Sequence, residues 1–578
     1  MNVQQGFDCA RSAHSSTCFL RFCPVTDAVE KLATEGGVKE RGAIYTKREV
    51  VEFILDLTGY TEDAPLAEYR LLEPSFGDGD FLIPAIERLL FAAKRENSLT
   101  YDALEHAIRA VELHRATFEG TRALIAAKLL ENGIGREVAA RLCDAWLFQG
   151  DFLLADFGGD FTHVIGNPPY VRQESIPDVL MIEYRQRYKS IYDRADIYVP
   201  FIERSLALLT QGGKLGFICA DRWMKNKYGK KLRELVSKNY ALTTYVDMYG
   251  VDAFHAEVSA YPAITVIEKA QASTTRVYAR PAIDVSFLQS LAAEMTAPKL
   301  AKSSKVREIE KVALNGAPWI LESFEELSLV RRLEAQFPVI EDAGCKVGIG
   351  VATGADKAFI GEFDTLDVES SRKLPLVMTR DLRDGHVAWR GKGVINPFGD
   401  DGKLVNLEDF PKLRAYLEAH KEQIAGRHVA AKNPRGWYRT IDRIYPALAN
   451  REKLLIPDIK GDASIVYEGG KLYPHHNLYF VTSDDWDIHA LQAVMRSGIA
   501  RLFVSLYCTR MRGGNLRFQA QYLRKIRIPK WQDVSVNLRA RLAQYAEVND
   551  RHALNEIVSE LYGLSPAELK LIEGKKSE

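Results

Sequence analysis

The chain has 578 residues, too long for one ordinary domain, and 47% of them are hydrophobic, enough for more than one buried core. Basic and acidic residues balance at 77 each, which excludes a uniformly basic nucleic-acid wrapper and an acidic tail protein. No apolar run reaches the roughly 18 residues of a membrane span, and Arg21 interrupts the stretch that would form a signal-peptide core. We therefore expect a soluble, cytoplasmic protein of several domains.

The seven cysteines give no sign of a cross-linked or metal-bound framework. They are odd in number and scattered, and no pair has the C-x-x-C spacing of a zinc ribbon. We expect reduced thiols, as is usual in a cytosolic chain, and we predict no metal site.

From Tyr69 to about Ile267, within a domain expected over 41–270, short apolar runs alternate with helical stretches, which is the pattern of a doubly wound α/β sheet. Seven strands are predicted, near residues 71–72, 110–113, 145–148, 163–165, 215–219, 243–248 and 263–267. A helix such as 81–94, with apolar residues at helical spacing, follows or precedes most of them. We expect a Rossmann-like domain with a seven-stranded, mostly parallel sheet.

Shifts in composition suggest the remaining boundaries. Residues 1–40 are an N-terminal extension, and residues 271–319 turn rich in Ser, Thr, Ala and Lys, which predicts a linker. A second, irregular α+β domain is expected over 320–535, with a Gly-rich segment at 347–354. Residues 536–578 are predicted to form C-terminal helices.

The clearest chemical signal is Asn167-Pro168-Pro169-Tyr170, which follows the apolar run 162–166. The carboxyl end of a strand is where open α/β sheets place their ligands. Two successive prolines remove two backbone donors, so this stiff loop is left with carbonyl acceptors. With the Asn167 side-chain oxygen and the Tyr170 ring, it can accept both hydrogens of a planar amine and stack on the attached ring. A rigid turn without a chemical role is the alternative for the tetrapeptide alone.

Carboxylates and small residues follow the earlier strands. The segment 73–80 (EPSFGDGD) opens a helix, and its glycines allow a ligand to approach the backbone. Its acidic residues disfavour a polyphosphate and favour a cofactor with a cationic amino-acid end. Glu112 ends the next strand, where an acid takes ribose hydroxyls, and Asp151-Phe152 follows the third and could bind an adenine. A helix cap is the alternative role for any one of these carboxylates.

In their order along the chain, these motifs resemble those of the amino-methylating, S-adenosylmethionine-dependent DNA methyltransferases of the gamma arrangement. The similarity is to the TaqI-like and PstI/BsuBI-like adenine-N6 modification enzymes, with residues 42–46 resembling their amino-terminal cofactor motif. The resemblance implies S-adenosyl-L-methionine binding by Tyr45, Thr46, Glu73, Pro74, Gly77, Gly79, Glu112, Asp151, Phe152 and Asn167. It implies catalysis by Asn167, Pro168, Pro169, Tyr170 and Phe254. Phe254 falls where the family stacks a second aromatic on the target base, and a core Phe is its alternative role.

The implied reaction is site-specific methyl transfer to the N6 amine of an adenine flipped out of double-stranded DNA. Such methylation protects DNA from a cognate restriction endonuclease, which is therefore an expected functional partner encoded separately. No membrane partner is expected.

Two windows of the second domain are rich in basic and aromatic residues. Residues 501–530 hold eight basic residues and no acidic one, and residues 421–453 hold eight basic and three acidic residues. Solvated surface is the alternative for such windows. Beside methyltransferase motifs we expect contacts to DNA phosphates and bases, from Trp437, Arg439, Arg510, Arg512, Arg517, Arg524, Lys525 and Arg527.

Three other functions compete with this interpretation. A methyltransferase could act on another planar amine or amide, an RNA base or a protein glutamine, but the large basic second domain favours DNA. A bifunctional restriction-modification enzyme is disfavoured because only about 40 residues precede Gly42, too few for a nuclease domain. A non-enzymatic DNA-binding module would not need Glu73, Glu112, Asp151 and Asn167 together.

Overall fold

The structure is a computed structural model of the chain. It describes residues 23–35, 42, 44–192, 195–255, 262–271, 274–310, 312, 315–319, 321, 324–383, 385–460, 465–508, 516–548 and 550–573. The chain divides into two compact units, Met1–Leu321 and Glu322–Glu578. Within the described ranges, no helix combines the length and apolar character that crossing a membrane requires.

The described part of the first unit is built on a nine-stranded sheet. Its strands are β1 (Leu71–Glu73), β2 (Ile108–Glu112), β3 (Leu147–Gln149), β4 (Phe161–Gly166), β5 (Leu209–Ala220), β6 (Ala241–Asp247), β7 (Pro262–Glu268), β8 (Thr274–Ala279) and β9 (Arg307–Glu310). Their order in the sheet is β3-β2-β1-β4-β5-β7-β6-β8-β9. Strands β1 to β5 pair in parallel, whereas β7 runs antiparallel to both β5 and β6.

Helices cover both faces of this sheet. They are α1 (Pro24–Thr34), α2 (Arg48–Thr58), α3 (Leu82–Arg95), α4 (Tyr101–Leu104), α5 (Arg115–Glu131), α6 (Arg136–Trp146), α7 (Asp178–Arg187), α8 (Tyr198–Ala207), α9 (Arg222–Lys225), α10 (Lys230–Asn239) and α11 (Val285–Thr296). Because successive strand residues point to opposite faces, Leu71 packs into the core under α2 and α3, and Leu72 packs into the core under α7 and α8. Two buried faces explain why these strands read as continuous apolar runs.

All seven predicted strands of the first unit are present, and the sheet contains two more. The linker predicted over 271–319 is instead part of the fold, since it contributes β8, α11 and β9. Strand β8 pairs in parallel with β6, and β9 pairs antiparallel with β8. Only Thr275 and Val277 of β8 and Ile309 of β9 are buried, so these outer strands carry too few apolar residues for a clear pattern.

The second unit is a mixed α+β structure with short strands. These are β10 (Cys345–Ile349), β11 (Ile360–Glu362), β12 (Lys373–Val377), β13 (Leu382–Arg383), β14 (His386–Val387), β15 (Lys392–Ile395), β16 (Glu452–Pro457), β17 (Ile459–Lys460), β18 (Val466–Gly469), β19 (Tyr473–Pro474), β20 (Leu478–Ser483) and β21 (Leu516–Arg517). They form sheets in the orders β10-β20-β16-β18, β11-β15-β12-β19, β13-β14 and β17-β21.

The helices of the second unit lie before, between and after these strands. They are α12 (Phe324–Gln336), α13 (Asp356–Phe359), α14 (Pro411–Ala419), α15 (Lys421–Ala425), α16 (His428–Ala431), α17 (Ile488–Arg496), α18 (Gly498–Tyr507), α19 (Ala520–Leu523), α20 (Val536–Gln544), α21 (Arg551–Tyr562) and α22 (Pro566–Glu573). The predicted C-terminal helices are present and are integrated into this unit, because α20 and α21 pack on α17, and α22 packs on α12 and α18.

Candidate active site

The carboxyl ends of β1, β2 and β4 lie side by side in the sheet and bring the predicted motifs together. A cavity at this edge is lined by Gly42, Ile44, Tyr45, Thr46, Glu73, Ser75, Phe76, Gly77, Asp78, Asp80, Phe81, Glu112, Thr117, Asn167 and Pro169. A second, larger cavity shares Ser75, Glu112 and Pro169 with it and is lined further by Pro74, Asp151, Phe152 and Tyr170. Residues predicted from separate motifs therefore line two neighbouring cavities that share three lining residues.

Backbone hydrogen bonds tie the glycine-rich loop to two other motifs. The Gly77 amide donates to Glu112 Oε2 at 3.0 Å, and the Thr46 amide donates to Asp80 Oδ2 at 2.7 Å. Gly79 has a φ of +91°, and a Cβ there would lie 3.0–3.1 Å from Ile83 and Thr121. Glycine is thus required where the loop turns into α3.

Glu73 is a buried carboxylate with an unused oxygen. Its side chain is only 1% exposed, and its Oε2 has no hydrogen-bond partner among the described residues. Burial raises the pKa of Glu73 well above its usual range, and the nearby carboxylates of Asp80 and Glu112 raise it further. An orphaned buried carboxylate is costly on its own, so this position suits a ligand that brings positive charge or hydrogen-bond donors.

Glu112 and Asp151 are both buried and both already accept hydrogen bonds from the protein. The His114 amide donates to Glu112 Oε1 at 2.8 Å, and the Leu153 amide donates to Asp151 Oδ1 at 2.7 Å. Glu112 lines both cavities and Asp151 lines the larger one, so both carboxylates border space that a ligand can enter. Phe152 is buried beside Asp151, with its ring centroid 5.0 Å from that of Phe201.

Tyr184 of α7 is a site residue that the sequence analysis missed. Its hydroxyl donates a short hydrogen bond to Asp151 Oδ2, and both side chains line the larger cavity. Burial raises the pKa of Asp151, and the hydrogen bond from Tyr184 lowers it, so burial dominates. No local sequence signal marks Tyr184, since its role depends on α7 packing over the end of β3.

The Asn167 amide is held in one orientation. Its Nδ2 donates to the Ile44 carbonyl at 3.0 Å and to Thr46 Oγ1 at 3.3 Å. Its Oδ1 is buried and has no hydrogen-bond partner in the described part of the chain. Both amide hydrogens are thus used by the protein, and the oxygen is left as a buried, unsatisfied acceptor.

The loop after Asn167 is anchored by the amino-terminal motif. The Tyr170 amide donates to the Gly42 carbonyl at 3.1 Å, and Gly42 has a φ of +64°. Pro168 is buried, and Pro169 lines both cavities. The Tyr170 ring lines the larger cavity, and burial raises the pKa of its hydroxyl well above the usual range. The loop therefore presents an acceptor and an aromatic ring at the junction of the cavities.

Phe254 lies beside the amino-terminal motif through its backbone. It forms an isolated antiparallel bridge with Thr46, and the His255 amide donates to the Tyr45 carbonyl at 3.0 Å. Its side chain is 6% exposed and packs in the hydrophobic core of the sheet. Residues 256–261, which follow it, lie outside the described part of the chain.

Two of the predicted DNA-contacting residues of the basic 501–530 window form ion pairs within the second unit, and two lie outside the described residues. Arg510 and Arg512 lie outside the described residues. Arg517 pairs with Asp458 at 2.5 Å, and Arg524 pairs with Glu341 at 3.0 Å. Asp458 and Glu341, which are distant in sequence, therefore neutralise part of the positive charge counted in residues 501–530.

Other basic and aromatic residues of this prediction interact within the second unit. Arg527 donates to the Phe337 carbonyl at 3.3 Å, and the Lys525 ammonium lies 6.0 Å from the centre of the Tyr507 ring. The Trp437 ring lies 5.3 Å from the Lys421 ammonium. The backbone carbonyl of Arg439 accepts a hydrogen bond from Arg427 at 2.7 Å.

Comparison with known proteins identifies the family. Residues 94–254 match the Eco57I restriction-modification methylase family. Over 555 residues the chain is 60% identical to the type II methyltransferase M.PaeR7I of Pseudomonas aeruginosa, covering 96% of this chain and 97% of that protein. It is 55% identical over 540 residues to the type II methyltransferase M.XhoI of Xanthomonas vasicola, covering 92% of this chain and 99% of that protein. The similarity thus extends through both units.

A solved structure shows the same fold at low sequence identity. The type IIL restriction-modification enzyme MmeI, in complex with DNA, aligns over 91% of this chain and 75% of its own with a TM-score of 0.58 at 10% identity. The acidic first cavity, with the unsatisfied Glu73 oxygen, fits the cationic amino-acid end of S-adenosylmethionine. The chain therefore belongs to the type II DNA methyltransferases of restriction-modification systems, which use S-adenosylmethionine as the methyl donor.

Proposed function

We propose that this enzyme methylates the N6 amine of an adenine flipped out of double-stranded DNA, at a specific sequence. The observation that carries the proposal is the Asn167 side chain, whose Nδ2 is held by Ile44 and Thr46 and whose Oδ1 is buried without a partner among the described residues. An acceptor held in place in this way suits a ligand with N–H groups. An aromatic amine has two such groups in the plane of its ring.

The exocyclic amine nitrogen of adenine must become a better nucleophile than it is in the free base before it can take a methyl group. The lone pair of an exocyclic amine is delocalised into the ring, whereas the methyl group on the sulfonium of the cofactor is already activated. Asn167 Oδ1 and the Pro168 carbonyl together hold the two N–H bonds, which favours a tetrahedral nitrogen with its lone pair directed at the methyl group. This arrangement stabilises the transition state and aligns the reactants. The N–C bond would form as the S–CH3 bond breaks, with S-adenosylhomocysteine as the leaving group. The methylated nitrogen is then cationic and acidic, so its proton passes to solvent water without a strong base.

The cofactor is proposed to occupy the two neighbouring cavities. Glu73 would face its ammonium group, Glu112 would accept hydrogen bonds from its ribose hydroxyls, and Asp151 with Phe152 would hold its adenine. The buried Glu73 oxygen, which has no partner among the described residues, and the places of Glu112 and Asp151 in the cavity linings support these roles. Tyr184 holds the Asp151 carboxylate in orientation through Oδ2 and so acts as a positioning residue.

A base inside a duplex cannot reach the buried Asn167 oxygen, so the target adenine has to leave the helix. Flipping costs a few kcal/mol of lost stacking and pairing. The Tyr170 ring, which lines the larger cavity, offers a new stacking surface next to the acceptor and offsets part of this cost. Phe254 as a second stacking residue stays a prediction, since its backbone lies beside Thr46 whereas its side chain packs in the core of the sheet.

The second unit is proposed to recognise the DNA sequence and to contact its backbone. Arg524, Lys525 and Lys530 are exposed in the basic 501–530 window, and MmeI, which has a similar fold, was solved in complex with DNA. Methylation at the recognised site protects DNA from a cognate restriction endonuclease. RNA bases and protein glutamines are less favoured substrates, since the relatives that match over the whole chain are type II methyltransferases.

Product analysis tests this proposal. Purified enzyme, duplex DNA and S-adenosylmethionine with a labelled methyl group are incubated, and the DNA is digested to nucleosides and separated by mass spectrometry. We expect the label in N6-methyl-2′-deoxyadenosine alone, and label in N4-methyl-2′-deoxycytidine or 5-methyl-2′-deoxycytidine contradicts the assignment. In the same assay Asn167→Ala should lose most methyl transfer. Asn239→Ala, at an exposed helix end in the same unit, is its matched control and should methylate DNA at the parent's rate.

A further inference from the structure

Asp356, His475 and His476 form a cluster in the second unit, separate from the residues proposed for methyl transfer. Each side chain offers one ligand atom, and these atoms all lie within 4.8 Å of one another. Imidazole nitrogens and a carboxylate oxygen are the ligands that Zn²⁺ and similar divalent cations prefer. The cluster includes a buried histidine, since His475 is 2% exposed.

Backbone hydrogen bonds hold the two histidines in place. The His475 amide donates to the Val377 carbonyl at 3.0 Å, and the His476 amide donates to the Val351 carbonyl at 3.0 Å. Val351 in turn donates to the Pro474 carbonyl at 2.9 Å. The side chains are thus carried by a backbone fixed on both sides, which preorganises a ligand site.

The carboxylate of the cluster is also oriented. The Thr353 hydroxyl donates to Asp356 Oδ1 at 2.5 Å, and Asp356 Oδ2 lies 3.2 Å from His475 Nε2. Ligands of one tetrahedral ion with bonds of about 2.1 Å lie about 3.4 Å apart, close to this separation. A hydrogen bond to the second oxygen of a ligating carboxylate is usual in metal sites.

Two buried nitrogens in the cluster have no partner. The Nδ1 atoms of both His475 and His476 lack a hydrogen-bond partner within the described residues, and the two ring centroids are 4.0 Å apart. Buried polar atoms are almost always hydrogen-bonded, so two orphaned nitrogens on adjacent residues need an explanation. One ion binds one nitrogen of each ring, so an ion held by His475 through Nε2, the nitrogen beside Asp356, can satisfy the orphaned Nδ1 of His476 but not that of His475.

We propose that Asp356, His475 and His476 bind one divalent transition-metal cation of the Zn²⁺ class. Asp356 and His476 also line a cavity with Thr353, Gly354 and Gln423, so a water molecule would have room to complete the coordination of the ion. The ion joins the glycine-rich segment at 351–356 to the chain at 475–476, 119 residues from Asp356. Its role is to stabilise the second unit, and it takes no part in methyl transfer.

Co²⁺ is the probe for this site, since tetrahedral Co²⁺ complexes absorb in the visible range. The full-length chain is stripped with a chelator, dialysed and titrated with Co²⁺, and Zn²⁺ is then added to displace it. We expect one saturable equivalent of Co²⁺ with a visible band that Zn²⁺ abolishes. Asp356→Asn, His475→Gln and His476→Gln should each weaken binding by about 10- to 100-fold or more.

His552→Gln is the matched control. His552 is an exposed histidine in the same unit, with its two ring nitrogens 2.5 and 3.4 Å from Glu573 and Glu556, so it is the place where adventitious binding is expected. Asp356→Asn preserves the side-chain shape and the acceptor for Thr353, so its loss of binding is not an unfolding effect. The proposal is overturned by the absence of a saturable visible band, by binding that persists in all three variants, or by binding lost only in His552→Gln.

Discussion

The close approach of Gly42 to Tyr170 predicts a large effect of Gly42→Ala on catalysis. A Cβ at Gly42 would lie 2.7 Å from the carbonyl carbon and oxygen of Tyr170, whereas ordinary contact begins near 3.4 Å. The atoms it meets belong to the backbone and cannot rotate away, so the catalytic loop must move by about 0.7 Å to restore the ordinary distance. The φ of +64° adds strain of about 1–2 kcal/mol for a residue with a Cβ.

A displacement of this size at the reacting groups should lower kcat by about 10- to 100-fold, since a shift of about 1 Å can cost about 100-fold. The loop carries Asn167 and Pro168, whose oxygens are proposed to align the amine. We expect KM for S-adenosylmethionine to change less, because Glu73, Glu112 and Asp151 lie on other elements. Steady-state kinetics on duplex DNA, with circular dichroism to check folding, measure both effects.

Gly133→Ala is the control for backbone strain alone. Gly133 has a φ of +88° and no atom within 4 Å of its would-be Cβ, so its substitution strains the backbone without a clash. It should reduce stability slightly and leave kcat unchanged. The proposed role of the Gly42 approach fails if both alanine variants have the parent's kcat, or if both reduce it equally.

Three further predictions concern the cofactor pocket and the second unit. Tyr184→Phe removes a donor to Asp151 and raises the pKa of that carboxyl further, so affinity for S-adenosylmethionine should fall about 10-fold, and more at about pH 6 than at about pH 8. Calorimetry at both pH values checks this, and equal losses would argue against the pKa effect. Glu73→Gln should weaken cofactor binding and yet raise the Tm of the free enzyme at alkaline pH. Because the folded-state pKa of Glu73 is raised, the parent loses stability as the pH rises from the usual Glu pKa through the folded-state pKa, and the glutamine variant does not. Thermal-shift measurements over a range of pH test this, and a variant Tm that never exceeds the parent's at high pH refutes it. Neutralising Arg524, Lys525 and Arg527 together should weaken DNA binding for all sequences without altering cofactor binding. The slope of log affinity against log salt concentration should become shallower by about 0.9 for each phosphate contact that is lost. Titrations of cognate and scrambled duplexes at several salt concentrations measure this, and an unchanged affinity and slope would identify the window as solvated surface.

Sequence patterns predicted the core sheet of the first unit because they are local. Each of the strands β1 to β7 is a short apolar run, and such a run predicts a buried strand by itself. Once the strands are predicted, Asn167 falls after β4 and Glu112 at the end of β2. Parallel strands bring such residues to one edge, so the motifs could be placed together from the sequence. The 1–40 extension is described only in part, at 23–35.

What the sequence did not predict depends on interactions between distant residues. Tyr184 reaches Asp151 across 33 positions, and Arg517 pairs with Asp458 across 59, so neither interaction has a local pattern. The sheet β10-β20-β16-β18 joins residues near 345 to residues near 480, which no periodicity can indicate. Counting charges in a window overestimates a basic surface for the same reason, since it omits partners from elsewhere in the chain.

The central claim is that the Asn167 oxygen acts on the target amine in the transition state. A single-turnover measurement of methyl transfer by Asn167→Ala, alongside its calorimetric Kd for S-adenosylmethionine, tests it most directly. We predict a Kd close to that of the parent and a transfer rate lower by at least about 100- to 1000-fold, the usual cost of removing one transition-state hydrogen bond. A variant that transfers the methyl group at the parent's rate, with its folding and Kd intact, would contradict this role for Asn167.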